Sequence, residues 1–272
     1  DFVGRFASRA IGPMQTLLIM AGVSALVLTP IALAGDIRAL WEPQTLGLTI
    51  IAALTTTVGA TLLYKSLAHG PLGIVVPVTS SYPLVLVLIV LVIGALSLTL
   101  NLLLAMAAVI GGVWVVARAG SKTNYHERHA QGTIRHGMLL AALAAIVFAI
   151  AIFLTELAVR RSGEAEVLWL SRIIGFGILA LVLFLRQDFK KMSMRMLWLL
   201  ALMGGVDTIG FLALFTAQGA GETAIASVAS AAYGVVTMVM ARVFLKEPVK
   251  PMQWLGFAIV VAGAASLTLL ST

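Results

Sequence analysis

The sequence predicts an all-α, polytopic membrane protein made of two inverted five-helix repeats, a ten-helix bundle whose first helix is largely absent from the chain. Three observations carry that reading. Of 272 residues, 61% are hydrophobic and only 11% charged, with a mean hydropathy of +1.07, a balance far from that of soluble domains. The apolar residues fall in runs of the length that crosses a hydrocarbon core of about 30 Å at about 1.5 Å per helical residue. Finally, the chain repeats itself. Setting residue n against n+151 pairs Gly12 with Gly163, Thr57 with Thr208, Gly59 with Gly210, Gly70 with Gly221, Ile74 with Ile225 and Tyr82 with Tyr233; after the tyrosines the offset becomes 152 and pairs Val109 with Val261 and Gly111 with Gly263. Weak internal symmetry of this kind marks membrane carriers built from repeats.

Helices rather than strands are expected, because each backbone polar group in lipid must be satisfied within its own segment and no alternating pattern is visible. The opening residues Asp1 to Arg5 match Ile152 to Glu156 in the register, the last third of a helix that starts near Met138 in the second copy. Later spans are expected at Met14 to Ala34, Thr45 to Leu67, Leu72 to Ala95 and Leu98 to Ala117. The second copy gives Met138 to Ala158, Val167 to Leu185, Met196 to Ala217, Thr223 to Leu245 and Pro251 to Leu270. Three regions follow: a first repeat over 1–118, a basic linker over 119–136 and a second repeat over 137–272. Pro77 and Pro83 free carbonyls one turn earlier and are expected to bend the fourth helix. An odd number of helices per copy puts the copies into the membrane from opposite faces. Fourteen of the eighteen lysines and arginines lie at one face, which is expected to be cytoplasmic.

The stretches SSYPLVLVLIVLVIGALSL (80–98) and ASAAYGVVTMVMARVFLKEPVKPMQWLGFAIVVAGAASLTLL (229–270) carry a resemblance. In the second, Leu245-Lys246-Glu247, Gln253, Leu255-Gly256 and Ala262-Gly263 follow one another in an order similar to the EamA-type repeat of the drug/metabolite transporter superfamily. Lys246 replaces the usual glycine and Gly234 the usual proline; the first copy keeps Pro83 and Gly94 but has Ala95 where glutamate is usual. The resemblance covers nearly the whole chain. It implies a secondary carrier, commonly an exporter, of amino acids, metabolites or drug-like compounds. Many family members have both termini in the cytoplasm, whereas the charge bias here argues the reverse.

Asp207 sits near the centre of an apolar run, where an ionised group costs about 3 kcal/mol or more, and its register partner is Thr56. Two readings are open: a proton-titrating or amine-binding group facing a cavity, or a carboxylate bonded to a neighbouring helix beside Gly204 and Gly205. Tyr82 and Tyr233 share helical faces with Thr79 and Ser230 and are expected either to line a cavity or to belong to a small-residue packing seam. Arg172 either snorkels to the interface or counters Glu166, Glu156 or a substrate carboxylate. Glu156 and Arg160 have the i, i+4 order of an ion pair.

His126, His129 and His136 bring imidazoles to the linker, where a metal site competes with a solvated basic segment. No nucleotide-binding, nucleophile-elbow or zinc-protease pattern occurs, and no cysteine is present. No cofactor is expected, nucleic acid is excluded as a partner, and the basic residues serve to orient the chain in lipid. The expected function is that of a permease or exporter of small metabolites, a non-enzyme working by alternating access and driven by protons or another gradient. The membrane is the inner one if the source is prokaryotic. A membrane-embedded lipid-modifying enzyme and a non-transporting scaffold or sensor are the alternatives.

Overall fold

The computed structural model describes residues 2–94, 97–121, 128–219, 236–237, 239–240, 242–244 and 249–270. Those residues are all-helical: α1 (Phe2–Ile11), α2 (Pro13–Ala34), α3 (Ile37–Leu40), α4 (Pro43–His69), α5 (Leu72–Thr79), α6 (Tyr82–Val92), α7 (Leu100–Ser121), α8 (Arg128–Ser162), α9 (Glu164–Arg186), α10 (Met194–Gly219) and α11 (Pro251–Leu270). Seven spans among them are long and apolar enough to cross a membrane, with α5 and α6 counted as one, and part of α11 forms a shorter apolar helix. The protein is an integral, multi-pass membrane protein. The expected span from Thr223 to Leu245 lies mostly outside the described residues. Helix α7 continues to Ser121 and α8 begins at Arg128, so both run into the stretch 119–136 expected as a linker.

The chain forms two compact units, and neither coincides with one copy of the repeat. Unit one takes Val3–Tyr64 and Ile150–Thr216; unit two takes Lys65–Ala149 and Ala217–Thr272. Each therefore draws helices from both copies, and each contains a pair of register-equivalent helices in contact, α2 with α9 and α7 with α11.

In unit one, Gly35 lies against Glu166, Gly22 against Phe176, and Trp169 Nε1 donates to Thr29 Oγ1 at 3.0 Å. Residue numbers rise on α2 as they fall on α9, so the two run antiparallel. The same holds in unit two, where Gly256 meets Val116, Gly112 meets Val260, and Gly263 meets Val109 and Ala105. Equivalent helices from the two copies thus cross in opposite senses, as the odd helix count requires.

The register also repeats a turn. Gly12, at φ 92° and ψ 154°, precedes α2, and its partner Gly163, at φ 116° and ψ 157°, precedes α9. Both have positive φ, where a Cβ clashes with the backbone. A Cβ on Gly12 would meet no atom within 4 Å, so only the backbone penalty applies. Gly12→Ala is expected to cost about 1–2 kcal/mol, read as a lower midpoint of thermal unfolding in detergent.

The span from Leu72 to Val92 is interrupted ahead of one of its prolines. Pro83 has no N–H for the carbonyl of Thr79, and the helix is interrupted between Thr79 and Tyr82. Local donors adjust: Ser81 N bonds Val78 O at 3.2 Å and Leu84 N bonds Ser81 O at 3.0 Å, a tighter i to i+3 winding.

Large apolar side chains face outward throughout. On α10, Leu202, Val206 and Ile209 are 66%, 62% and 64% exposed, a stripe that requires lipid to cover it. Gly204, Thr208 and Phe215 form the opposite, buried row.

Candidate functional site

The α10 rows fix where Asp207 points. At about 100° per residue, its direction lies about 130° round the helix from the lipid-facing stripe. The residue is thirteen positions from Met194 and twelve from Gly219, the middle of its span. Its carboxylate meets Arg172, with Nη2 to Oδ2 at 3.2 Å; the two side chains are 19% and 35% exposed, the arginine being the more enclosed. Arg172 stands eight residues inside α9, counted from Glu164, or about 12 Å at 1.5 Å per residue. Its partner is neither of the glutamates the sequence suggested. Glu156 pairs with Arg160 at 2.7 Å, as its spacing predicts, and Glu166 is buried against Gly35 and Gly163.

Aromatic residues frame the pair. Phe211, one turn beyond Asp207 on α10, carries the Arg172 guanidinium over its ring at 5.2 Å, a cation–π contact that gains strength where water is scarce. Phe215 stacks behind it with ring centroids 6.4 Å apart. From α4, the buried Tyr64 hydroxyl donates to Met20 Sδ at 3.1 Å, and its phenol lies within electrostatic reach of both Asp207 and Arg172. Next to the aspartate, Thr208 Oγ1 donates to Ser24 Oγ at 2.6 Å, and Ser24 Oγ donates to Gly204 O at 3.3 Å. These bonds fasten α10 to α2 and set the azimuth from which Asp207 projects.

Glycine supplies the room. A Cβ on Gly204 would lie 3.0 Å from Met20 O, so α2 and α10 touch by backbone. Gly175, one turn from Arg172, leaves room for the Thr57 side chain of α4, whose Oγ1 is only 2.9 Å from where a Cβ on Gly175 would stand. The arrangement is a four-helix setting for two opposite charges, an aromatic face and a set of hydroxyls at mid-span. Chemically it can exchange its internal ion pair for a ligand's charges while Phe211 and Tyr64 contact apolar parts of that ligand.

The other expected residues are distributed differently. Thr79 and Tyr82 belong to unit two, at the end of α5 and the start of α6, on either side of the proline-induced break. Thr79 is buried and its hydroxyl donates to Val75 O at 2.9 Å. Tyr82 is partly buried. Tyr233 and Ser230 lie outside the described residues. The structure therefore brings Asp207 and Arg172 together, and adds Tyr64 and Phe211, which the sequence reading did not single out. One signal was there: Tyr64 and Phe215 are register partners, an aromatic residue at the same place in both copies.

Comparison with known proteins agrees with this architecture. The model of the EamA-like transporter family matches residues 1–118 and 135–269. No curated protein matches the chain. A solved structure described only as "Crystal structure of protein" superposes with a TM-score of 0.66 over 98% of this chain and 91% of that one, at 18% sequence identity. At that identity the likeness establishes the fold alone.

Proposed function

Because this chain belongs to the EamA-like transporter family, a family of membrane transporters and not of enzymes, we propose that it is a secondary carrier of small metabolites working by alternating access. Amino acids and drug-like amphipathic compounds are the substrate classes proposed, with a gradient of protons or of substrate as the driving force. The observation that carries this reading is the Arg172–Asp207 pair at mid-span. Charged side chains at that depth are retained where they face a bundle interior or a water-filled cavity. A zwitterion can replace the pair charge for charge, its carboxylate on Arg172 and its ammonium on Asp207, leaving no group unpaired. Tyr64 and Phe211 then offer contact to an apolar side chain. Thr79 and Tyr82 are proposed as substrate-contacting residues within unit two, and Ser230 and Tyr233 as their counterparts in the second copy.

Counterflow in proteoliposomes tests the proposal. Vesicles loaded with unlabelled amino acid are expected to accumulate radiolabelled amino acid transiently, at a rate that depends on chain density. An imposed pH difference is expected to drive net uptake if protons are coupled. Absence of counterflow across zwitterionic, cationic and apolar substrates would leave the scaffold or sensor reading in its place.

A further inference from the structure

Two of the chain's four histidines meet at the end of α4. His69 and His136 stand with ring centroids 5.5 Å apart at an interplanar angle of 79°. They come from different helices, and their approach is fixed by backbone. Each precedes a glycine, Gly70 or Gly137, and a Cβ on Gly137 would lie 2.9 Å from the Cα of Gly70 and 3.0 Å from its nitrogen. No larger residue fits at Gly137 without moving the end of α4 away from α8. Both rings are exposed, and that of His136 can turn about χ2.

The hydrogen bond of His69 settles which of its nitrogens carries the proton. Nδ1 lies 2.7 Å from the carbonyl oxygen of Lys65. A carbonyl oxygen only accepts, so Nδ1 is the protonated nitrogen, and neutral His69 keeps its lone pair on Nε2. A backbone carbonyl holding one imidazole nitrogen while the other remains free to ligate is the usual outer-shell arrangement of metal-binding histidines.

We infer that His69 and His136 form a two-imidazole site for a divalent transition metal, bridging the end of α4 to the start of the apolar part of α8. The spacing suits it. With metal–nitrogen bonds of about 2.0–2.1 Å and a tetrahedral angle, two imidazole centroids sharing one ion stand about 5 Å apart. Among the described residues no group of three or more histidine, cysteine or acidic side chains converges, so water completes the coordination. The nearby Lys65 and Arg135 make the surroundings basic. That opposes any divalent cation, so binding rests on the imidazole nitrogens, which suit Zn²⁺, Cu²⁺ and Ni²⁺ and not the oxygen-preferring Ca²⁺ and Mg²⁺.

The full-length protein in detergent, stripped with chelator, tests this by calorimetric titration with Zn²⁺ alone and by electron paramagnetic resonance with Cu²⁺ alone. One zinc per chain is expected at this site, with affinity falling at least about tenfold in His69→Gln and in His136→Gln. The copper spectrum is expected to show two equatorial nitrogens, reduced to one in either variant. The thermal midpoint in chelator, unchanged in both, shows that the fold is retained. His126→Gln/His129→Gln is expected to bind zinc as the parent does. Zinc binding that survives in the His69→Gln/His136→Gln variant, or that is lost in His126→Gln/His129→Gln instead, overturns the assignment, as does a folded parent protein that takes up no zinc. None of these readouts depends on transport, so the proposed carrier function stands or falls separately.

Discussion

Asp207→Asn is expected to cut amino-acid counterflow at least tenfold and to lower the thermal midpoint, because it removes one partner of a partly buried ion pair and leaves the more enclosed arginine without its anion. The two losses have different origins. The variant leaves the Arg172 guanidinium at mid-span with Phe211 beneath it and no anion opposite, which lowers stability; it also removes the anion proposed to receive a substrate ammonium, which lowers exchange. Combining Asp207→Asn with Arg172→Gln separates them. The double variant carries no unpaired charge and is expected to recover most of the lost thermal stability, while counterflow remains low because neither charge is available to a zwitterion. Exchange of charges, Asp207→Arg with Arg172→Asp, is expected to keep the stability and change the rate. A double neutral variant that transports at the parent rate would reduce the pair to a structural bond and remove it from the transport cycle.

Two adjacent glycines on α7 are expected to respond oppositely to the same substitution. A Cβ on Gly112 would stand 2.7 Å from Gly256 O and 2.9 Å from Val260 N, whereas one on Gly111 meets nothing within 4 Å. Backbone atoms of α11 cannot rotate aside as a side chain does. Gly112→Ala is therefore expected to push the antiparallel pair apart at a cost of about 1–3 kcal/mol or more. Gly111→Ala faces open space inside a helix and is expected to be neutral or stabilising by up to about 1 kcal/mol. Thermal unfolding of both variants in one detergent reads the contrast directly. Equal midpoints would mean that the helices are not in backbone contact at Gly112. The same contrast is expected on α10, where Gly204 abuts Met20 and Gly205 has no neighbour within 4 Å.

These contrasts show where reading the sequence stops. Both members of Gly111-Gly112 have the character of packing notches in the sequence, because lipid is as apolar as a helix interface and periodicity carries little information about which face meets protein. The Arg172–Asp207 bond was hidden for a related reason. The two residues are 35 positions apart on separate helices, and the azimuth of each depends on contacts such as Thr208–Ser24 that no local pattern records. By contrast Glu156–Arg160 was legible, since an i, i+4 pair needs only its own helix.

A helical membrane protein with two related copies crossing in opposite senses, and the places of most of its spans, could be read from the order of residues alone. Those properties follow from backbone hydrogen bonding that must close locally in lipid, from run length against bilayer thickness, and from an odd helix count. The residue order even paired Gly12 with Gly163, because a positive φ selects glycine one residue at a time. Folding in three dimensions was needed to mix helices from both copies in each compact unit, to set Arg172 against Asp207 and to bring His69 to His136. Each of those is a contact between distant helices, set by where glycine lets backbones approach and by which side chains then fall within reach.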